Sequence, residues 1–438
     1  MKVVFLCGGS STRMYPIEKD KFLMNFLGKT LIERQIDAAK ETGLSEFIVI
    51  GNTKNIGKLK DALKHIKGIE FFSREGSKGM ADTMLAIRAI KDDFIVVNPN
   101  DIFDSSAYKK ILAEYNTSDY ECYMVGYQVK DYFPGGYLSV NESNELKEII
   151  EKPGKGNEPS NLVNIVIHLF RGRKLFEYLQ KTKSDKDDVY ERSIDRMVKD
   201  GIKVKVVRYD GFWKAVKYPW DLFQIMEYYF EKSEAGISKK AKISRKATIE
   251  GKVIIDDGAK ILENAVIRGP CYIGKNTIIG NNSLIWNSHL TDNCVVGYGT
   301  EIKHSFIGNE CWFHFNYVGD SVISDKCSFG AGTKLANLRF DEKTIAVNVK
   351  GEKIATKLDK FGSIFGEKCK CGINSSIMPG IKVGPNSIVG SSVCLTEDLE
   401  RDKIIIVDKE SYKISDNNID FDTEKKKRQV QNFDLRWE

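Results

Sequence analysis

Ile273-Gly-Lys-Asn-Thr-Ile-Ile279-Gly-Asn-Asn-Ser-Leu-Ile285 repeats itself at a period of six: an aliphatic residue, then small and polar ones. The phase runs both ways from this stretch. Upstream it passes through Ile267, Ile261, Ile255, Ile249 and Ile243 to Ile237, and it returns downstream at Ile377, Val383, Val389 and Leu395. An amphipathic helix needs a period near 3.6, so a period of six excludes one. A fixed six-residue repeat predicts a parallel β-helix, each repeat laying down one flat face with its aliphatic side chain inside. Such a solenoid buries its core only against neighbouring coils, and its flat faces tend to associate. The repeat occupies 236–408.

The texture before it is different. Over 1–230, short apolar runs alternate with amphipathic segments. Lys2–Leu6, Phe47–Ile50, Phe94–Val97 and Tyr123–Tyr127 read as strands, and Thr30–Thr42, Ile56–Ile66 and Ala81–Ile90 as helices. This rhythm predicts a mostly parallel α/β sheet covered on both faces, with ligands beyond the carboxyl ends of the strands. Trp220–Lys232 reads as a connecting helix, and 409–438 as a polar tail whose Lys425–Arg428 run is a solvated end.

Composition bounds the chemistry. Of 438 residues, 42% are hydrophobic and 29% charged, which suits a globular chain with a sizeable core. Lys and Arg number 67 against 61 acidic residues, a net +6. That balance argues against nucleic acid and suits small anionic substrates. Nine scattered cysteines are expected to be reduced thiols of a cytoplasmic protein; Cys369 and Cys371 lack the second pair of a zinc site. Gly8 and Gly9 stop the apolar start before signal-peptide length, and no run nears the ~20 apolar residues that span a bilayer.

Chemistry concentrates after the first strand, in Leu6-Cys-Gly-Gly-Ser-Ser-Thr-Arg-Met-Tyr-Pro16. Glycines let backbone N–H groups approach phosphates, and Arg13 and Lys21 could neutralise a triphosphate. A tight turn would use the same residues, so the loop alone leaves both readings open.

The whole phrase, with Lys21-Phe-Leu and Leu27-Gly-Lys-Thr-Leu-Ile-Glu-Arg34, resembles the signature of the NDP-sugar pyrophosphorylase (sugar-1-phosphate nucleotidylyltransferase) family. The resemblance continues in order through Gly79-Met-Ala-Asp82, Val96-Val-Asn-Pro-Asn-Asp-Ile-Phe103, Gly135-Gly-Tyr137, Glu151-Lys-Pro153 and Leu162-Val-Asn-Ile-Val-Ile167. It implies a Rossmann-like domain with a mixed sheet, and attack of a sugar-1-phosphate oxygen on the α-phosphorus of an NTP, with pyrophosphate leaving. It assigns Leu6, Gly8, Gly9, Gly79 and Met80 to the nucleotide, Arg13 to pyrophosphate, and Lys21 to phosphate charge. Asp101 would hold Mg²⁺, while Gly136, Glu151, Lys152 and Asn164 would face the sugar phosphate. Three departures stand out. Ala215 replaces the family's second metal ligand, Ser11 replaces a loop glycine, and Arg74 falls near the place of a base-reading glutamine. UTP with glucose- or N-acetylglucosamine-1-phosphate is the expected pair, and the missing glutamine leaves GTP and dTTP open as the nucleotide.

In the repeat, Phe313-His-Phe-Asn-Tyr-Val-Gly-Asp320, Phe329-Gly-Ala-Gly-Thr333 and Ala336-Asn-Leu-Arg-Phe-Asp-Glu-Lys343 resemble the acetyltransferase domain of bifunctional N-acetylglucosamine-1-phosphate uridylyltransferases, archaeal-type enzymes above all. That resemblance implies a left-handed parallel β-helix, a homotrimer, and acetyl-CoA as second substrate. It makes His314 a general base, with Tyr317, Asn337, Lys303 and Lys343 around an amino-sugar phosphate and Ala331 at the acetyl-CoA channel. A neutral histidine suits the base role near pH 7. Trp286 stands where these enzymes carry a phosphate-binding arginine. Two other readings stay open: a single-activity nucleotidylyltransferase with a structural β-helix, and a catalytically weakened nucleotide-sugar sensor.

Overall fold

The computed structural model describes every residue except 10, 76–78, 409, 410 and 419–438, with only the backbone described at 411–413. The chain forms two compact units. The first comprises Met1–Ser10, Asp20–Met24 and Lys29–Val216; the second comprises Ser11–Lys19, Asn25–Gly28 and Lys217–Glu438.

The first unit is built on a nine-stranded mixed sheet. Lys2–Leu6 lies between Glu46–Gly51 and Phe94–Val97, parallel to both, and Ile69–Ser73 continues the parallel edge. Side chains alternate across a strand, and here both faces are apolar. Val3 and Phe5 enter one core cluster while Val4 and Leu6 enter the other. A strand covered on both sides reads as an unbroken hydrophobic run, as KVVFL does. Leu162–Phe170 then pairs antiparallel with Phe94–Val97, and also with Cys122–Gln128 and Gly136–Val140.

Helix Leu31–Lys40 starts at Thr30 with a capping box: Glu33 N–H donates to Thr30 Oγ1 at 3.3 Å, and Thr30 N–H to Glu33 Oε2 at 2.6 Å. The helix expected over Ala81–Ile90 is shorter and divided, an α-helix at Gly79–Met84 followed by a 3₁₀ turn at Leu85–Ile87. Ala81, Met84 and Ile87 are spaced by three, the repeat of a 3₁₀-helix.

The second unit contains three parallel ladders of stacked short strands, the parallel β-helix that the hexapeptide period predicts. One ladder runs Ile267, Ile285, Ile302, Val318, Leu335, Ile377, Leu395, each residue registered on the next. These side chains are all buried in one continuous core. The first coil differs: Ile237 is 51% exposed, and Ile243 and Ile249 are only partly covered. An end coil has a neighbour on one side alone, so its inward residues stay open. Asparagine marks many corners, as at Asn264, Asn276, Asn282 and Asn293, all at φ between 55° and 59°. Asn is among the few side chains that accept this left-handed conformation readily.

All nine cysteines are free thiols. Cys294, Cys311, Cys327 and Cys369 lie inside successive coils, each Sγ donating to a carbonyl of the next coil at 3.1 Å. Trp220–Lys232 holds the expected helix, Asp221–Lys232, which belongs to the second unit. Residues 338–361 leave the solenoid and include the hairpin Ala346–Val349 with Glu352–Ala355. The tail placed at 409–438 begins as a strand, because Ser411–Asp416 pairs antiparallel with Lys403–Asp408. The Lys425–Arg428 run lies outside the described residues. No helix among the described residues is long and apolar enough to cross a membrane.

Candidate functional site

In the first unit Gly8 and Gly9, Gly79 and Asp101 follow the ends of the parallel strands Lys2–Leu6, Ile69–Ser73 and Phe94–Val97. Cys7 leaves the first strand with its N–H on Ile50 O at 2.8 Å; Asn55 Nδ2 donates to Cys7 O at 2.8 Å and Asn52 Nδ2 to Gly8 O at 3.2 Å. The loop backbone is therefore held from below. A Cβ at Gly9 would meet nothing within 4 Å, so no protein atom excludes a side chain there. Lys21 Nζ donates to Val216 O at 2.6 Å.

Asp101 lies in the sequence Asn98-Pro-Asn-Asp, and the turn that sequence suggests is present, with Asp101 N–H on Asn98 O at 3.0 Å. Asp101 then opens a short strand and is buried at 7% exposure, accepting from Trp213 Nε1 on Oδ1 at 3.1 Å. Directly across the antiparallel pair stands Ala215, which brings no donor atom. Among the described residues no group of three or more His, Cys, Asp or Glu could hold a metal ion. A Mg²⁺ site would thus draw one carboxylate from this part of the chain. That fits an ion that takes one or two carboxylates and completes its shell with phosphates and water.

Gly79 starts its helix at φ +83°, and a Cβ there would lie against Asp187 Oδ1. Arg74, near the expected base-reading position, forms an ion pair with Asp82 of the same Gly79-Met-Ala-Asp segment. On the sugar side, a Cβ at Gly136 would sit 3.1 Å from Glu151 Oε2 and 3.5 Å from Asn164 Cβ, so these three residues converge. Lys152 Nζ contacts Glu151 Oε1 at 2.5 Å. Burial alone would push the Lys152 ammonium down, but the bond to Glu151 and the charges of Glu151, Asp187 and Glu191 together outweigh it, and the net shift is upward. Lys152 is held at φ 48°, a strained conformation for a side chain with a Cβ.

Three neighbours carry no motif. Glu191 is pushed up to about 8, first by burial and then by the Glu151 charge. His168 is fully buried and pushed down to about 3 by that burial. Its ring nitrogens lie 2.7 Å from Asn164 Oδ1 and 2.8 Å from Tyr190 Oη.

Arg13 is partly exposed on the 3₁₀ turn Thr12–Met14, whose segment, Ser11–Lys19, belongs to the second unit. That segment is anchored there by Tyr15 Oη on Glu400 Oε2 at 3.1 Å and by the Lys19–Asp325 ion pair at 3.0 Å.

On the β-helix, Tyr317 Oη donates to Asn337 Oδ1 at 3.3 Å, and Asn337 Nδ2 donates to Asp320 Oδ2. Asp320 Oδ1 holds His304 Nδ1 at 2.7 Å, and His304 Nε2 lies 3.4 Å from Glu227 Oε1. Burial would push His304 down, but the two carboxylates outweigh it and raise the imidazole to about 9. Gly319 is what lets this network close, since a Cβ there would come within 2.7 Å of Asn337 Nδ2 and 2.8 Å of Tyr317 Oη. Trp286 and Lys303 are registered neighbours on adjacent coils, and the Lys303 ammonium lies 4.7 Å from the indole centroid. His314 is exposed at the corner before the Tyr317 strand. Ala331 and Lys343 are also exposed. The structure thus joins Tyr317 and Asn337 directly, and adds Asp320, which closes the Phe313–Asp320 phrase without an assigned role, and His304 and Glu227, which lie in no motif.

Two family models match the chain: nucleotidyl transferase over residues 2–232 and the GMPPB C-terminal domain over 249–354. The chain is 32% identical to the bifunctional protein GlmU of Methanocaldococcus jannaschii over 412 residues, 92% of this chain and 97% of that protein. It is 33% identical to the bifunctional sugar-1-phosphate nucleotidylyltransferase/acetyltransferase of Sulfurisphaera tokodaii over 409 residues, 91% of this chain and 98% of that one.

Proposed function

From a chain that belongs to the nucleotidyl transferase family, among NDP-sugar pyrophosphorylases of the GlmU type, we propose a two-activity enzyme that makes a nucleotide sugar. The first activity joins an NTP to a sugar-1-phosphate. A sugar-phosphate oxygen bonds to the α-phosphorus, the α–β bridging bond breaks, and pyrophosphate leaves. Such transfers are accelerated chiefly by positioning and by charges aimed at the phosphates. The convergence of Gly136, Glu151 and Asn164 is the observation that carries this reading: an acceptor and an amide meet at a point kept clear by a glycine. Glu151 and Asn164 bind sugar hydroxyls, and Lys152 serves the sugar phosphate from its place on Glu151. The glycine loop meets the nucleotide phosphates, Lys21 neutralises them, and Gly79 and Met80 border the base. Arg13 takes the pyrophosphate on the strength of its motif. Asp101 is the residue that would hold Mg²⁺, which supplies charge neutralisation between the two substrates.

The second activity is N-acetylation of an amino-sugar-1-phosphate by acetyl-CoA. The amine attacks the thioester carbonyl, His314 accepts its proton, and the CoA thiolate leaves. Asn337 holds the amino sugar, Tyr317 contacts its phosphate with Lys303 and Lys343 nearby, and Ala331 borders the acetyl-CoA path. The Tyr317–Asn337 hydrogen bond supports this reading, and a trimer through the β-helix completes it.

Pyrophosphate release with Mg²⁺ tests the first activity, using UTP, dTTP and GTP against glucose-, N-acetylglucosamine-, glucosamine- and mannose-1-phosphate. Release with one pair names the substrates. Silence across the panel with nucleotide sugar still bound would replace the enzyme by a sensor.

A further inference from the structure

Asn164 and His168 are four residues apart on one strand. At about 3.3 Å per residue a regular strand would separate their Cα atoms by about 13 Å, beyond direct contact of the two side chains. They touch because Leu162–Phe170 is bulged. Its register on Cys122–Gln128 moves from Ile165↔Val125 to His168↔Met124, so three steps on one strand meet one on the other. A bulge of this kind bends the strand and re-aims its side chains. The result is a buried row: Asn164 Oδ1, the imidazole, then Tyr190 Oη, with the His168 and Tyr190 rings stacked 5.6 Å apart at 13°.

The row has a direction. Burial keeps His168 neutral, with one N–H to give, and pushes the Tyr190 phenol up so that it keeps its proton. A carbonyl oxygen only accepts. We infer that His168 is a positioning residue: its Nε2–H donates to Asn164 Oδ1, Tyr190 Oη donates to its Nδ1, and the Asn164 amide is thereby turned to present Nδ2–H to the sugar beside the accepting Glu151. The site then offers one donor and one acceptor side by side, the pair that reads a single sugar hydroxyl as acceptor and donor at once.

This inference deepens the proposed nucleotidyl transfer and rests on it for the identity of the ligand. The test has two arms on the full chain. In ¹⁵N-histidine spectra the His168 ring is expected as the Nε2–H tautomer, without titration above pH 4. A Nδ1–H tautomer, or a midpoint near 6.5, overturns the relay whether or not the protein turns over. In kinetics, His168→Phe is expected to raise KM for the sugar phosphate about tenfold and leave that for the NTP unchanged, the loss of one buried hydrogen bond. His168→Gln, whose amide N–H can replace Nε2–H, returns KM to within about threefold. Equal rises in both KM values, in either variant, would mean a purely structural histidine. If His168→Phe does not fold, Asn164→Asp keeps the acceptor toward His168 but removes the donor. It must raise the sugar-phosphate KM while the tautomer stays Nε2–H, and an unchanged KM overturns the inference. An inactive wild type would remove the proposed reaction, and the tautomer would still decide the relay.

Discussion

His304 joins helix Asp221–Lys232 to the β-helix, and the charge it carries should be visible in stability. Its Nδ1 lies 2.7 Å from Asp320 and its Nε2 3.4 Å from Glu227, while the Phe223 ring sits 4.6 Å away. The folded imidazole is raised to about 9 from an ordinary 6.5. The folded state therefore holds the proton more tightly than the unfolded chain. The stability this contributes is complete below pH 6.5 and is lost as pH rises through about 9. A shift of this size corresponds to about 3–4 kcal/mol at most, at 1.36 kcal/mol per unit. Glu227 is 55% exposed, so its share is screened, and about 1–2 kcal/mol is the expected loss. Urea unfolding of the full chain at pH 6, 7, 8, 9 and 10, for wild type and His304→Gln, measures it. The wild-type advantage over the variant should shrink as pH rises across this range. Two parallel profiles, or a His304 ring signal titrating below pH 7, would refute the assignment of a protonated imidazole bridging two carboxylates.

Asp101→Ala should lower pyrophosphate release at least a hundredfold without altering the melting temperature by more than a few degrees; unchanged turnover would remove Asp101 from the site. His314→Ala should abolish acetyl transfer and leave nucleotidyl transfer intact, so that equal loss of both marks a structural histidine. Gly319→Ala inserts a methyl group where Tyr317 and Asn337 meet, and should cost acetyl transfer before it costs folding, read as KM for the amino-sugar phosphate against the melting temperature. Glu191, raised to about 8 by burial and by Glu151, holds a proton that the unfolded chain gives up near 4.5. Wild-type stability should therefore fall from pH 4.5 to 8, and Glu191→Gln should remove that slope.

The hexapeptide phase was legible because one side chain per face must point inward, which makes the period a property of packing. It goes missing from the sequence after Ile285 because the coil shortens. The next inward residue is Leu290, five positions on, followed by Val296, Ile302 and Ile307. Phe313, Val318, Ile323, Phe329 and Leu335 continue the same core, so the structure has no break where the six-residue count breaks. A ladder tolerates a corner one residue shorter provided the strands keep register, and Ile285↔Ile302 does keep it. A fixed count cannot follow that slip. The Ala81–Ile90 helix is present but starts at Gly79 and ends in a 3₁₀ turn at Leu85–Ile87, because spacing by three serves a 3₁₀ turn as well as an α-helix.

Site residues divide along the same physical line. Gly79, Gly136, Glu151 and Asp101 sit in short phrases whose backbone demands are local: a positive φ, a close approach, a turn leading into a strand. Such demands leave a mark on consecutive residues and can be read from them. His168, Tyr190 and Glu191 act across elements. His168 reaches Asn164 only through a bulge, which depends on how a partner strand 40 residues away is paired. Asp320 and Glu227 meet at His304 from a solenoid corner and a separate helix. Nothing in the sequence ties those residues together. Ala215 makes the converse case. It was visible as a departure from the family phrase, yet only the register shows that it faces Asp101 directly, across a pair closed by the Trp213 indole on the same carboxylate. A second carboxylate at 215 would have to share that small space with Asp101, and two like charges there repel unless a cation lies between them. With alanine opposite, Asp101 meets no second charge across the pair, and the Trp213 indole holds its Oδ1.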